Sequence, residues 1–239
     1  MSITIHAAMT VPEGDGVTIK RLMPLAGLRN FDPFVLWDHF DISGGGFPDH
    51  PHRGFEAITY LFDGGMKHTD RLGNRGTVTA GGAQRFTAGR GMVHSEFPDG
   101  RAHGIQLWIN LPKRLKSVEP DYQQVQSAAI PESSNDGVTI RIIVGDGGAI
   151  SLLSNVEYLD IIMDAGASCQ RRLADRFRGF IYIVQGGVEI NGQALGSGEA
   201  AFIDDVAEVD LQCSNGARLM WCVGQPHHEA IYQHGPYVD

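Results

Sequence analysis

The side chains best suited to chemistry are His50 and His52, in GGGFPDHPHRGFEAITYLFDG (44–64), and His94 and Glu96, in TAGRGMVHSEFP (87–98). Within each pair the residues stand two apart, and on an extended strand such residues point to one face, about 6.5–7 Å apart. A single H-x-H reads equally well as two solvated loop histidines. Two such pairs on neighbouring strands can do more: three imidazoles and a carboxylate surround one ion inside a barrel and leave positions for water and substrate. Glu56 shares the parity of His50 and His52.

The elements that must hold these residues read as short strands. VTIKRLMPL, EAITYLFDG, TVTAGG, HGIQLWINL, VTIRIIVGD, EYLDIIMDAG, GFIYIVQGGVEING, GEAAFID and RLMWCVG are β-branched or aromatic runs bounded by Gly, Asp or Pro. With 31 glycines, 11 prolines, 42% hydrophobic and 20% charged residues, the 239-residue chain reads as an all-β globular protein of the sandwich, barrel or jelly-roll kind. A net charge of −9 opposes broad attraction to phosphate backbones or anionic membranes, so direct nucleic-acid binding is not expected. No stretch approaches the roughly 18 apolar residues of a membrane span, and MSITIHAAMTVPEGDG lacks a leader pattern; the expectation is cytoplasmic. Cys169, Cys213 and Cys222 lie 44 and 9 residues apart, which suits neither a disulfide framework nor a CxxC knuckle, so they read as reduced core thiols.

RGFEAITYLFDGG (53–65) resembles RGFIYIVQGGVEING (178–192), at an offset of 122 residues between Tyr60 and Tyr182. One fold used twice follows, joined within the polar stretch 116–137, with domains at 1–125 and 126–239. At that offset Arg172 and Ala174 stand where His50 and His52 stand in the first half. A metal therefore belongs to the first half, and the second is structural or regulatory.

Gly44, His50-Pro51-His52 and Glu56 resemble the first motif of the cupin superfamily, and Gly91 to His94 its second. The chain is more similar still to the pirin family, a bicupin group. FDPFVLWDHF (31–40), HPHRGFEAITYLFDGG (50–65), TAGRGMVHSE (87–96), GIQLWINLP (104–112), EPDYQ (119–123), PESSNDGVTIRII (131–143) and QHGPYV (233–238) carry that resemblance along nearly the whole chain. It implies two tandem cupin jelly-roll barrels, metal ligands His50, His52, His94 and Glu96, and a C-terminal barrel without metal. The general cupin pattern names Glu56 as the carboxylate; the longer pirin matches favour Glu96 and leave Glu56 to orient a ligand histidine. Family members that run past the HGP segment end in a helical tail, which this sequence lacks.

Three imidazoles and a carboxylate suit iron, copper, nickel, manganese, cobalt or zinc; the resemblance favours Fe(II). It also implies a flavonol (quercetin) 2,3-dioxygenase using O₂, with Glu96 as the catalytic base. The competing class is a metal-dependent redox regulator that binds a transcription or metabolic protein. An open apolar cavity at the histidines favours turnover, and a sealed site favours the regulator.

Other residues have simpler readings. Ser95 beside His94 and Asp49 beside His50 face opposite ways, which excludes a nucleophile–base pair. The glycine run 44–46 opens no helix and reads as a turn rather than a phosphate loop. His68 and the pair His227–His228 read as solvated or hydrogen-bonded, and of the remaining histidines only His103 is placed to approach the site. Arg171, Arg172, Arg176 and Arg178 read as a salted surface, and Phe55, Phe62 and Trp108 as core.

Overall fold

A computed structural model describes residues 2–239 and shows a nearly all-β protein. Every strand candidate in the sequence falls on a strand, but the elements are longer and more numerous than the apolar runs suggest. Phe55–Asp70 and Met92–Asn110 are single antiparallel partners of 16 and 19 residues, bent by register shifts between Leu61 and Asp63 and between Gly64 and Met66. Bulges of this kind add twist and let a long strand turn a barrel corner.

The chain forms two compact units, and their boundaries are not linear. One comprises residues 9–129 with 227–239; the other comprises 130–226 with residues 1–8. A division at 125/126 misses this exchange of the ends, because the sequence gives no sign of where an edge strand will pair. Ser2–Ala7 pairs with Glu199–Asp204 in the C-terminal unit. The last residues lie on the N-terminal unit, where Val238 is fully buried and its amide bonds to the Arg53 carbonyl.

In the N-terminal unit the sheet runs, in pairing order, Asp121–Val125, Ala83–Thr87, Phe55–Asp70, Met92–Asn110, Phe34–Ile42, Val17–Met23 and Met9–Glu13, and Phe47–His52 joins the outer half of Met92–Asn110. Its apolar interior is divided. One cluster gathers Leu36, Phe55, Phe86 and Trp108, and the other Ile19, Phe40, Leu61 and Met66. In the C-terminal unit the interior is one continuous apolar cluster that includes Leu159, Ile181, Ile183, Leu211 and Trp221. Cys213 and Cys222 are buried in this unit and Cys169 is half-buried, all three as free thiols. No described helix is long and apolar enough to cross a membrane.

Glycine is required where the tail crosses. Gly54 has φ +84°, and a Cβ there would stand 1.8 Å from the Val238 carbonyl oxygen. It separates the H-x-H strand from the next one and resets the alternation of faces between them.

Candidate metal centre

Three strands build the site. Met92–Asn110 runs between Phe47–His52 and Phe55–Asp70, with His94 directly opposite His50 on one side and Asp70 on the other. Glu96 lies opposite His68. Directly opposed residues of antiparallel strands share a face, so alternation alone delivers His50, His94, Glu96, His68 and Asp70 to one side of the sheet. A register shift between Phe47 and His50 brings His50 level with His94.

The ring nitrogens of His50, His52 and His94 lie within 4.8 Å of one another. Their hydrogen bonds fix which nitrogen is free. His50 Nδ1 lies 2.7 Å from the Pro48 carbonyl oxygen and His52 Nδ1 lies 3.1 Å from that of Pro236. A carbonyl only accepts, so both Nδ1 atoms carry the proton and both Nε2 atoms hold a bare lone pair. His94 Nε2 stands 3.0 Å from His50 Nε2, which points it into the same space. Burial lowers the pKa of all three, to about 3 for His52, where the neighbouring His50 adds to the effect. Neutral imidazoles are therefore presented at neutral pH, as a metal requires.

Glu96 is almost completely buried and forms a second group of ligand-type atoms with His68 and His94. Its Oε1 accepts from the Gln84 amide and, at 3.3 Å, from the Thr59 hydroxyl, which leaves Oε2. Burial outweighs these bonds and pushes its pKa up to about 7. A carboxylate held in this way gains from a nearby cation. The His50, His52 and His94 nitrogens, and the Glu96 carboxylate in a second group that shares His94, are donor types that suit a divalent transition ion.

Above the histidines a cavity of about 420 Å³ opens to solvent, within the usual range for small-molecule sites. His50, His52, Glu96 and Gln106 line it on one side, Leu36, Phe40, Phe47, Met66 and Trp108 supply apolar wall, and the paired charges of Glu13, Arg21 and Asp38 also border it. Trp108 stacks on Phe55 at 4.1 Å, meets the His52 ring edge-on at 4.8 Å, and has a buried indole N–H without a hydrogen-bond partner. The reading of Trp108 as core alone thus needs correction: it is cavity wall as well.

Other expectations fare differently. His103 does not approach the site; its Nε2 lies 2.8 Å from that of His39, beside Phe62. His68, expected to be solvated or hydrogen-bonded, is 1% exposed and hydrogen-bonded, with Asp70 at 3.3 Å and His94 at 3.4 Å. Glu56 stands across from Thr87 and accepts its hydroxyl at 2.9 Å, on the opposite face from Thr59 because the register between them is unbroken. The change at Gly54 is why parity counted through from His50 misplaces it. Arg171, Arg172, Arg176 and Arg178 each meet a carboxylate, as a salted surface does.

Sequence reasoning missed His68, Asp70, Thr59, Gln84, Gln106 and the carbonyls of Pro48 and Pro236. For two of them the signal was present, because His68-x-Asp70 has the same two-residue spacing as the other pairs. The carbonyl of Pro236, 184 residues from His52, has no such trace.

Family comparison matches Pirin over residues 16–109 and Pirin C-terminal cupin domain over residues 158–239. Human Pirin is 39% identical over 95% of this chain and 83% of its own length. A Pseudomonas aeruginosa protein, named provisionally as a quercetin 2,3-dioxygenase, is 34% identical over 99% of this chain and 90% of its own. The crystal structure of quercetin 2,3-dioxygenase from Acinetobacter baumannii superposes with a TM-score of 0.88 at 25% identity, covering 98% of this chain and 90% of that one.

Proposed function

The chain belongs to the pirin family, and on that premise we propose that His50, His52, His94 and Glu96 hold one divalent metal ion, Fe(II) by preference, in a flavonol 2,3-dioxygenase. The observation that carries this reading is the pair of Nδ1–carbonyl bonds that leave His50 and His52 with Nε2 lone pairs aimed at the space His94 Nε2 faces, beneath an open cavity. When bound, such an ion supplies Lewis acidity that lowers the pKa of a flavonol 3-hydroxyl and a place for O₂ beside it.

The protein's own groups do the rest. Leu36, Phe40, Phe47 and Trp108 offer apolar walls to a planar aromatic substrate, and the Gln106 side chain offers it a polar anchor. Glu96 accepts the 3-hydroxyl proton at Oε2 when that oxygen is released from the metal, while Gln84 and Thr59 hold Oε1. The open cavity favours turnover over a sealed redox regulator, and quercetin-dioxygenase names among the relatives point the same way.

The test is metal analysis of protein purified without added metal, paired with O₂-dependent loss of the quercetin absorption band after loading with Fe, Cu, Mn, Co or Ni. One metal per chain, and turnover abolished in His50→Ala and Glu96→Ala, is the expected result. Tight metal binding without turnover under any loading would replace the enzyme with the regulator that binds a protein partner.

A further inference from the structure

We propose that His68, backed by Asp70, is a positioning residue that fixes the tautomer and ring orientation of His94. This rests on the metal reading above. His94 presents Nε2 to His50 at 3.0 Å and Nδ1 to His68 Nδ1 at 3.4 Å. With Nε2 given to a metal, His94 Nδ1 carries the proton, so His68 Nδ1 must be the bare acceptor. The His68 proton then sits on Nε2, which lies 3.3 Å from Asp70 Oδ2.

Asp70 is built to accept it. The backbone N–H groups of Leu72 and Asn74 donate to Oδ1 at 2.9 Å each, and the Asn74 side-chain amide donates to Oδ2 at 2.8 Å. These donors hold the carboxylate in place at the turn after the strand. The His68 ring plane is set independently by stacking on Tyr122, at 4.3 Å and 19°. His68, Asp70 and His94 are all buried, so the chain of three groups is shielded from competing water. A carboxylate behind a ligand histidine fixes its orientation and raises its basicity; here a second imidazole extends that link by one ring.

The experiment is Co(II) binding by chelator competition, with the visible absorption of the Co(II) protein, for wild type, His68→Phe and Asp70→Asn. The phenyl ring retains the stack on Tyr122. Both variants should keep one Co(II) per chain, bind it roughly 10–100-fold more weakly and shift the ligand-field bands, and the double variant should be no worse than His68→Phe alone. A folded His68→Phe protein with unchanged affinity and spectrum would overturn the proposal. So would complete loss of Co(II), equal to that of His94→Ala, since His68 would then be a ligand itself. Should the variants not fold, ¹H–¹⁵N correlation of the wild-type Zn(II) protein decides: a His68 proton on Nε2 supports the proposal, and one on Nδ1 refutes it. Wild-type protein that binds no metal would remove the metal reading and this inference together, whereas bound metal without quercetin turnover leaves this inference standing.

Discussion

The two halves of the molecule use one strand plan to opposite ends, and the registers allow a position-by-position comparison. Cys169 opposite Leu211 is the counterpart of Phe47 opposite Glu96. Counting from there, His94 and Glu96 correspond to Val209 and Leu211, both fully buried. Thr59, opposite Gln84 and Gln106, corresponds to Ile181, opposite Ala201 and Trp221. His68 corresponds to Ile190. Arg172, the counterpart of His50, lies outside the core and pairs with Glu208. The register shift that brings His50 level with His94 has no equivalent between Cys169 and Arg172. The fold therefore needs none of the polar set. Buried imidazoles and a carboxylate cost stability unless paired, and this set is gathered in the N-terminal half.

The strongest way to break the contrast is to give the N-terminal unit the residues of its counterpart. His94→Val with Glu96→Leu should reduce metal occupancy from near one per chain to background, measured by elemental analysis. Wild-type protein with metal at about 1,000 times Kd should gain about 4 kcal/mol of stability over the metal-free form, while the double variant should gain nothing. Without metal, the double variant should be as stable as wild type or more so by about 1–4 kcal/mol, because well-packed apolar groups replace buried ionisable ones. Denaturant melts with and without chelator read both effects. A double variant that still binds one metal would end the assignment of His94.

The reciprocal change touches only the other half. Ile183→Ala, in the continuous C-terminal core, should cost about 2–5 kcal/mol in chemical denaturation and leave metal stoichiometry unchanged. Loss of metal in that variant would mean that the C-terminal core supports the site.

How much of this was legible in the sequence follows the same division between local and distant causes. Strand positions, the H-x-H and H-x-E pairs and the apolar second half are local patterns of period two, and they read directly. His68 and Asp70 show the same period but lie within an unbroken strand, so without the register nothing placed them opposite Glu96 and His94. Glu56 was misaimed because one glycine at positive φ interrupts the alternation. The exchanged ends and the Pro236 carbonyl are long-range pairings, set by packing rather than by any nearby residue.

The smallest effect concerns protons, and it separates Glu96 from its counterpart Leu211 most finely. In the metal-free fold Glu96 has a pKa of about 7, raised by burial against the bonds from Thr59 and Gln84, while His50, His52 and His94 are held neutral by their lowered values. At pH 6 the carboxyl is mostly protonated and the His52 imidazole is not. A metal that takes Glu96 as ligand must then displace about one proton, and its affinity should fall about tenfold per pH unit below 7, or about 1.4 kcal/mol. Above pH 8 this dependence should vanish. Calorimetric titration in two buffers of different ionisation enthalpy counts the proton directly. Glu96→Gln retains the shape and the neutral hydrogen bonds of the protonated acid, so it should release none and show a flat affinity between pH 6 and 8. Release of about four protons by wild type would mean that all three histidines are charged before metal binds. Release of none, with the glutamine variant binding equally well, would reduce the ligand set to the three imidazoles and leave Glu96 as the base alone.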